Sequence, residues 1–266
     1  IKKKRSMADK RMEQMTNMNL NFNVSEPVEK KNITTFFLSS IEKNNNKYLS
    51  LSEAMDKNQV QISEVNKKGL LTKLSVSNKS SDNIIILNGE LIIGTQIRQD
   101  RIVDSTVLIP GYATVLINTF CGEQYRWSPR LSNKISTSTS ESLYFSSGRA
   151  NNAADINTKL SKQCRIWSEI SEKISDFNVK SFTNSVDQIY KKKKVNVEEI
   201  VNFFKIPTEA VGVALGINHQ LVNIDIFSNN CMLQIYLPKI IRSIALDSFK
   251  KISKKSYLKK KDVHRF

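Results

Sequence analysis

The amino-acid sequence predicts an α+β domain. The expected architecture is an antiparallel, strand-rich sheet or sheets built from hairpins, with helices mainly in the second half packed on the sheet. Three observations lead there. Short β-branched and apolar runs separated by turn residues recur from Ile33 to Phe120. Long helical periodicity starts only after residue 150. Runs of strands followed by runs of helices favour α+β over an alternating, doubly wound fold. No Gly-x-Gly-x-x-Gly follows a strand and no Gly-Lys-Ser/Thr loop occurs, so Rossmann and P-loop architectures lose their main support.

The elements follow in order. Ile33 to Leu38 is a β-branched and aromatic run and reads as the first strand. Lys43 to Lys47 is an Asn-rich loop. Ser50-Leu51-Ser52-Glu53 fits a capping box, in which Ser50 accepts from the Glu53 amide and Glu53 returns the bond, so a short helix through about Lys57 is expected. Val60 and Ile62 alternate with polar residues as in a strand, and Gly69 to Val76 reads as another. Ile84 to Leu87 and Glu90 to Ile93 flank Asn88-Gly89, a preferred type I′ hairpin turn. A second hairpin is expected from Ile102–Ile109 and Thr114–Phe120 across Pro110 to Ala113. Residues 128–148 are Ser/Thr-rich and read as a long loop.

The second half reads differently. In residues 153–174, Ile156, Leu160, Gln163, Trp167, Ile170 and Ile174 recur at three- and four-residue steps, giving a helix with one docking face. Shorter helices are expected over 184–191 and 196–204, the latter capped by Asn196. A third hairpin joins Ala210–Ile217 to Gln220–Phe227, turning at Asn218-His219. A last helix covers about 232–252, with Pro238 either kinking it or marking its first turn.

Composition bounds the rest. The chain has 266 residues and 39% hydrophobic content, enough for a packed core. No apolar run approaches the ~20 residues of a membrane-spanning helix, and Ile1 to Arg5 does not read as the start of a secretory signal. Three widely spaced cysteines, Cys121, Cys164 and Cys231, form no Cys-x-x-Cys pair. That argues against a disulfide framework or thiolate zinc site and fits a reducing, cytoplasmic compartment. Two histidines, His219 and His264, leave little room for a Ser-His-Asp triad.

The net charge of +16 resides in residues 1–11, in Lys191 to Lys194 and in residues 250–266. The rest of the chain is neutral. This divides the chain into a basic, disordered arm over 1–32, one globular domain over 33–252 and a basic tail over 253–266. Such blocks bind polyanions weakly and with strong salt dependence, or simply stay solvated.

Candidate chemistry concentrates between Glu90 and Trp127. Glu90 follows the first hairpin turn. Gln96, Arg98, Gln99, Asp100 and Arg101 crowd a segment between two apolar strands. The next strand ends in Cys121-Gly122-Glu123-Gln124-Tyr125-Arg126-Trp127. Carboxylates at one sheet end can serve as general acid and base, and arginines can fork onto phosphate. Trp127 and Tyr125 can stack on a base or sugar. Against this, Arg–Glu pairs often only fix loops. Cys121 at a strand end is commonly a small buried hydrophobe, and no histidine lies nearby to activate it. Glu90, Asp100 and Glu123 can hold Mg²⁺ through water, yet nothing resembles a dedicated metal loop.

These residues resemble a known family, the ADP-ribosylglycohydrolase and rhodanese-phosphatase superfamily associated protein domain, whose function is uncharacterised. The resemblance runs from about Ile33 to Phe249. It is carried by Tyr48 to Met55, Val60 to Glu64, Leu74 to Asn78, Asn88-Gly89-Glu90, Gln99-Asp100-Arg101 and Ser105 to Pro110. The string Cys121, Glu123, Arg126 and Trp127 follows, then Gln163, Trp167 and Gly212 to Phe227 with Asp225. Two departures stand out. The stretch between Gly94 and Gln99 is about two residues longer than the family pattern, and Lys159 stands where an arginine is expected before Gln163.

The resemblance implies nucleotide- or ADP-ribose-linked binding or hydrolysis, by association with neighbouring genes. Under that reading Glu90 and Glu123 are the catalytic pair. Arg101 and Arg126 bind phosphate, Gln99 orients substrate or water, and Trp127 and Cys121 line the ligand. The alternative is a non-catalytic binding or scaffold module whose basic tails touch nucleic acid or another polyanion. No cofactor, dedicated metal or oligomeric state is specified.

Overall fold

The computed structural model describes residues 22–40, 47–70, 72–93, 97, 99–128, 143–144, 159–218, 220–249 and 259–263. It is an α+β fold of three sheets. The first is antiparallel and contains β1 (Phe22–Val24), β2 (Val28–Lys30), β3 (Ile33–Ser40), β13 (Ala210–Ile217) and β14 (Gln220–Ile226). Its central strand β3 is apolar on both faces because both are covered. Ile33 and Phe37 join the largest core cluster, while Phe36 and Leu38 join a smaller cluster on the other side.

The second sheet orders β10 (Val107–Ile109), β7 (Ile84–Ile86) and β4 (Leu49–Ser50), with β4 parallel to β7. The third is a curled sheet ordered β12 (Leu143–Tyr144), β8 (Glu90–Ile92), β9 (Arg101–Val103), β11 (Thr114–Cys121), β6 (Lys73–Asn78) and β5 (Val60–Glu64). Between the last two sheets lies a second core of Leu51, Ala54, Leu74, Ile84, Ile86, Ile92, Val103 and Ile117. Helix α1 (Leu51–Asp56) contributes Leu51 and Ala54 to it. The expected capping box is present: Ser50 Oγ accepts from the Glu53 amide at 3.2 Å, and Glu53 Oε2 accepts from the Ser50 amide at 2.9 Å. Such caps contribute about 1 kcal/mol.

Two of the expected hairpins are corners instead. β7 pairs with β10, and β8 pairs with β9 and β12, so the strands flanking Asn88-Gly89 enter different sheets. Only Gly89 has positive φ, at 85°, whereas a type I′ turn needs it at both central residues. Likewise Ile102–Ile109 is not one strand. It breaks at Asp104-Ser105-Thr106 into β9, which pairs with β11, and β10, which pairs with β7. Between β7 and β11 the chain thus crosses three times between the same two sheets. The third hairpin, β13 with β14, forms as expected.

Among the helices, α2 (Lys159–Asp176) docks through Ile166 and Ile170, and Trp167 packs beside them. A single helix, α3 (Val186–Val201), replaces the two short ones, with Ser185 rather than Asn196 at its N-cap. Buried Val186, Ile189 and Tyr190 before the Lys191–Lys194 run and Val197, Ile200 and Val201 after it lie on one face, with half-buried Lys193 between them, so the run is a helical turn rather than a break. α4 (Asn230–Ser248) starts at N-cap Asn229 and keeps Pro238 inside it, lying along β13 and β3.

The sheet also takes in residues expected to belong to the arm, since β1 and β2 precede Ile33. A short α5 (Lys260–Val263) buries Val263 against the first sheet's outer face, within the stretch expected as tail. Residues 1–21, the Asn-rich tract through 46, most of the 128–148 loop, 153–158 and His219 lie outside the described residues.

Candidate functional site

Strand register builds one corner of the site. Arg101 pairs with Ile92 on one side and Cys121 on the other. Directly paired residues share a face, and alternate residues along a strand do too. Glu64, Glu90, Arg101 and Cys121 therefore fall on the inner face of the curled sheet, beside Leu74, Ile92, Val103 and Ile117.

Arg101 is fully buried, with 0% exposure. Its Nη1 donates to Gln99 Oε1 at 2.9 Å and its Nη2 to Glu64 Oε1 at 3.4 Å. Its Nε is buried without a hydrogen-bond partner. The Trp127 ring covers the guanidinium at 5.5 Å from its centroid. Burial pulls the Arg101 pKa below its ordinary value, against the opposing attraction of Glu64. Since a guanidinium stays protonated in proteins, that direction reports incompletely compensated loss of solvation.

Cys121 lies beneath. Its Sγ is 2.9 Å from Gln99 Oε1 and 2.8 Å from the Glu123 carbonyl, and its single proton serves one of them. Burial pushes the thiol pKa up, so Cys121 is a neutral thiol near pH 7 rather than a nucleophilic thiolate. The side chain of Gln163 pins this strand end, accepting from the Cys121 amide at 2.7 Å and donating to its carbonyl at 3.0 Å.

A second group faces the start of α3. Glu123 Oε2 accepts from Arg126 Nε at 2.8 Å and Nη2 at 2.5 Å. The same guanidinium lies 3.5 Å from buried Asp100 Oδ1, whose Oδ2 accepts from Ser185 Oγ at 2.9 Å. The Asp100 amide adds a 3.4 Å bond to Glu123. Gly122 sits between the groups; a Cβ there would lie 3.0 Å from Leu91 Cδ1.

Glu90 does not join either group. It is fully buried, and its Oε1 accepts from Lys239 Nζ of α4 at 2.8 Å. Lys239 also donates to Ser52 Oγ of α1. The structure thus brings Gln99, Arg101, Cys121 and Trp127 together, links Arg126 to Glu123 alongside them, and ties Glu90 elsewhere. Among the described residues, no three His, Cys, Asp or Glu side chains gather in metal-binding range.

The rim carries exposed aromatics. An antiparallel bridge joins Glu123 to Ser185, and the Tyr125 amide donates to the Thr183 carbonyl at 3.1 Å. That juxtaposes the Tyr125–Trp127 turn with the loop bearing Phe182. Their exposures are 67% for Tyr125, 43% for Trp127 and 95% for Phe182, high for rings this large.

The sequence matches the ARG and Rhodanese-Phosphatase-superfamily-associated Protein domain over residues 21–266. The chain belongs to this family. The match extends beyond Ile33 and Phe249 at both ends, in keeping with the pairing of β1 and β2 within the ARPP-1 domain's first sheet and the packing of α5 on it. No curated protein and no solved structure matches the chain.

Sequence reasoning passed over Glu64 as Arg101's partner, Ser185 as Asp100's, Phe182 on the rim and Lys239 on Glu90. Lys239 carried a signal, being a lysine inside the apolar stretch from Met232 to Ile244. Such a cation needs a buried counter-ion. Ser185 and Phe182 carried none, because only folding sets their loop beside Glu123.

Proposed function

We propose that this domain binds an anionic small molecule of the nucleotide or ADP-ribose type at the Arg101 corner, as a binding module. One observation carries the reading: Arg101 is a wholly buried cation whose hydrogen-bonding capacity is only partly used. A phosphate oxygen supplies the missing acceptors and charge. Gln99 fixes orientation, and Trp127 with Tyr125 offers ring surface to a base. The family description associates the domain with rhodanese-phosphatase proteins, which agrees with phosphate-bearing ligands by association alone. Binding is favoured over hydrolysis because both proposed catalytic carboxylates are engaged: Glu90 with Lys239, and Glu123 with Arg126.

Thermal-shift measurements with ADP-ribose, ADP, NAD and inorganic pyrophosphate test the proposal. A ligand at 100 times its Kd stabilises the fold by about 2.7 kcal/mol, which raises the Tm by several degrees. The same ligand is expected to shift Trp127→Ala less. A flat response to all four compounds rejects the reading.

A further inference from the structure

We infer that the folded domain carries its own polynucleotide-binding surface, centred on Lys31, Lys192 and Lys193 and separate from the Arg101 corner. Its lysines come from two elements, the β2–β3 turn and α3. Lys31 occupies the β2–β3 turn with φ of 57°, and its Nζ lies 5.2 Å from the Phe249 ring centroid. Lys193 of α3 places its Nζ 5.1 Å from the Phe177 centroid and 6.0 Å from that of Phe249. The two rings meet edge to face at 6.2 Å. Lys192 donates to the Asn178 carbonyl just beyond α2.

The surrounding charge is unbalanced. Glu199 holds Lys30 at 3.2 Å and Asp187 holds Lys191 at 2.5 Å. Among the described residues, no carboxylate lies within ion-pair distance of Lys31, Lys192 or Lys193. Part of their placement has a structural cause. Phe249 caps the C-terminus of α4, and Asn178 follows that of α2, where helix dipoles favour cations. A helix terminus offers only about half a charge, so three whole cations leave a positive surplus. Aromatic contacts restrict two of these lysines, lowering the entropy lost when phosphates bind.

A polynucleotide suits this surface better than a bilayer. An interfacial helix must offer an apolar face to the acyl boundary. The apolar stripe of α3 is instead buried in the core, through Val186, Ile189, Tyr190, Val197 and Ile200. Outward on α3 are Lys191, Lys192 and Lys194 with Val195, Asn196 and Glu199, a set with a net positive charge of the kind that phosphate backbones select.

The test is fluorescence anisotropy with a labelled 20-nucleotide oligouridylate from 50 to 200 mM salt, using the full chain with its basic ends in place. The triple variant Lys31→Gln, Lys192→Gln, Lys193→Gln is compared with the parent and with a control carrying Lys57→Gln, Lys68→Gln and Lys79→Gln. Losing three phosphate contacts lowers the salt slope by about two, so the parent's affinity falls roughly 16-fold more than the variant's across that range. The control keeps the parent's slope. An unchanged slope in the triple variant, or an equal change in the control, overturns the inference. So does binding to phosphatidylserine vesicles without binding to the oligonucleotide. Matching melting temperatures for parent and triple variant ensure that a lost slope reports binding rather than unfolding.

Discussion

Two of the buried cations of this domain, Lys239 and Arg101, are treated in opposite ways. Lys239 reaches from α4 into a knot with Glu90 and Ser52, and its ammonium also lies 5.0 Å from the Tyr236 ring. Three elements meet there: α1, β8 and α4. Arg101, on the inner face of the curled sheet, holds Glu64 at a long 3.4 Å and leaves Nε unused. The difference teaches how to separate a structural charge from a poised one. A buried ion whose donors are engaged by a close counter-ion belongs to the fold. A buried ion with spare donors beneath a half-exposed tryptophan stands ready for something outside the chain.

Breaking the closed side of this comparison has the largest effect. Lys239→Met strands Glu90 in the core and is expected to destabilise the domain by about 3–5 kcal/mol. Urea denaturation measures it. The double variant Glu90→Leu, Lys239→Met removes both charges and is expected to recover most of that loss, because well-packed apolar pairs replace buried ion pairs at little cost. Failure of the double variant to recover would show that the knot contributes more than charge neutralisation.

A smaller effect sharpens the middle ground. Glu123→Gln removes the charge that anchors Arg126 but keeps an acceptor for the Asp100 amide. The expected loss is about 1.5–3 kcal/mol, the range for hydrogen bonds to charged groups. If Glu123 only positions Arg126, the variant's affinity for a bound nucleotide falls in proportion to the disordering of Arg126. Calorimetric titration of the variant beside Arg126→Gln reads this directly, and similar losses for both are expected.

What the sequence made legible was local. The Ser50–Glu53 capping box needs four residues, and the β13–β14 hairpin needs one turn and its flanks; both form as expected. The crowding of Gln99, Arg101, Cys121 and Trp127 was also visible, because register across two strands preserves closeness in sequence. The corners at Asn88-Gly89 and Asp104 to Thr106 were not. A turn residue specifies a reversal, but sheet membership depends on which distant strands compete for pairing. Glu90 escaped the expected site for a similar reason. Its partner Lys239 is 149 residues away, and the nearest cation in sequence was not the nearest in space. The Lys191–Lys194 run looked like a break between helices because four successive lysines interrupt the apolar period, whereas the buried stripe resumes in phase at Val197.

Replacing Arg101 while watching fold and ligand together tests the contrast most directly. Arg101→Leu is to be melted with and without ADP-ribose, ADP and pyrophosphate, beside the parent. Arg101→Leu is expected to lose far less stability than Lys239→Met and to gain none from the ligand that stabilises the parent. An Arg101→Leu variant that unfolds as Lys239→Met does, or that keeps the parent's full ligand response, would contradict the contrast.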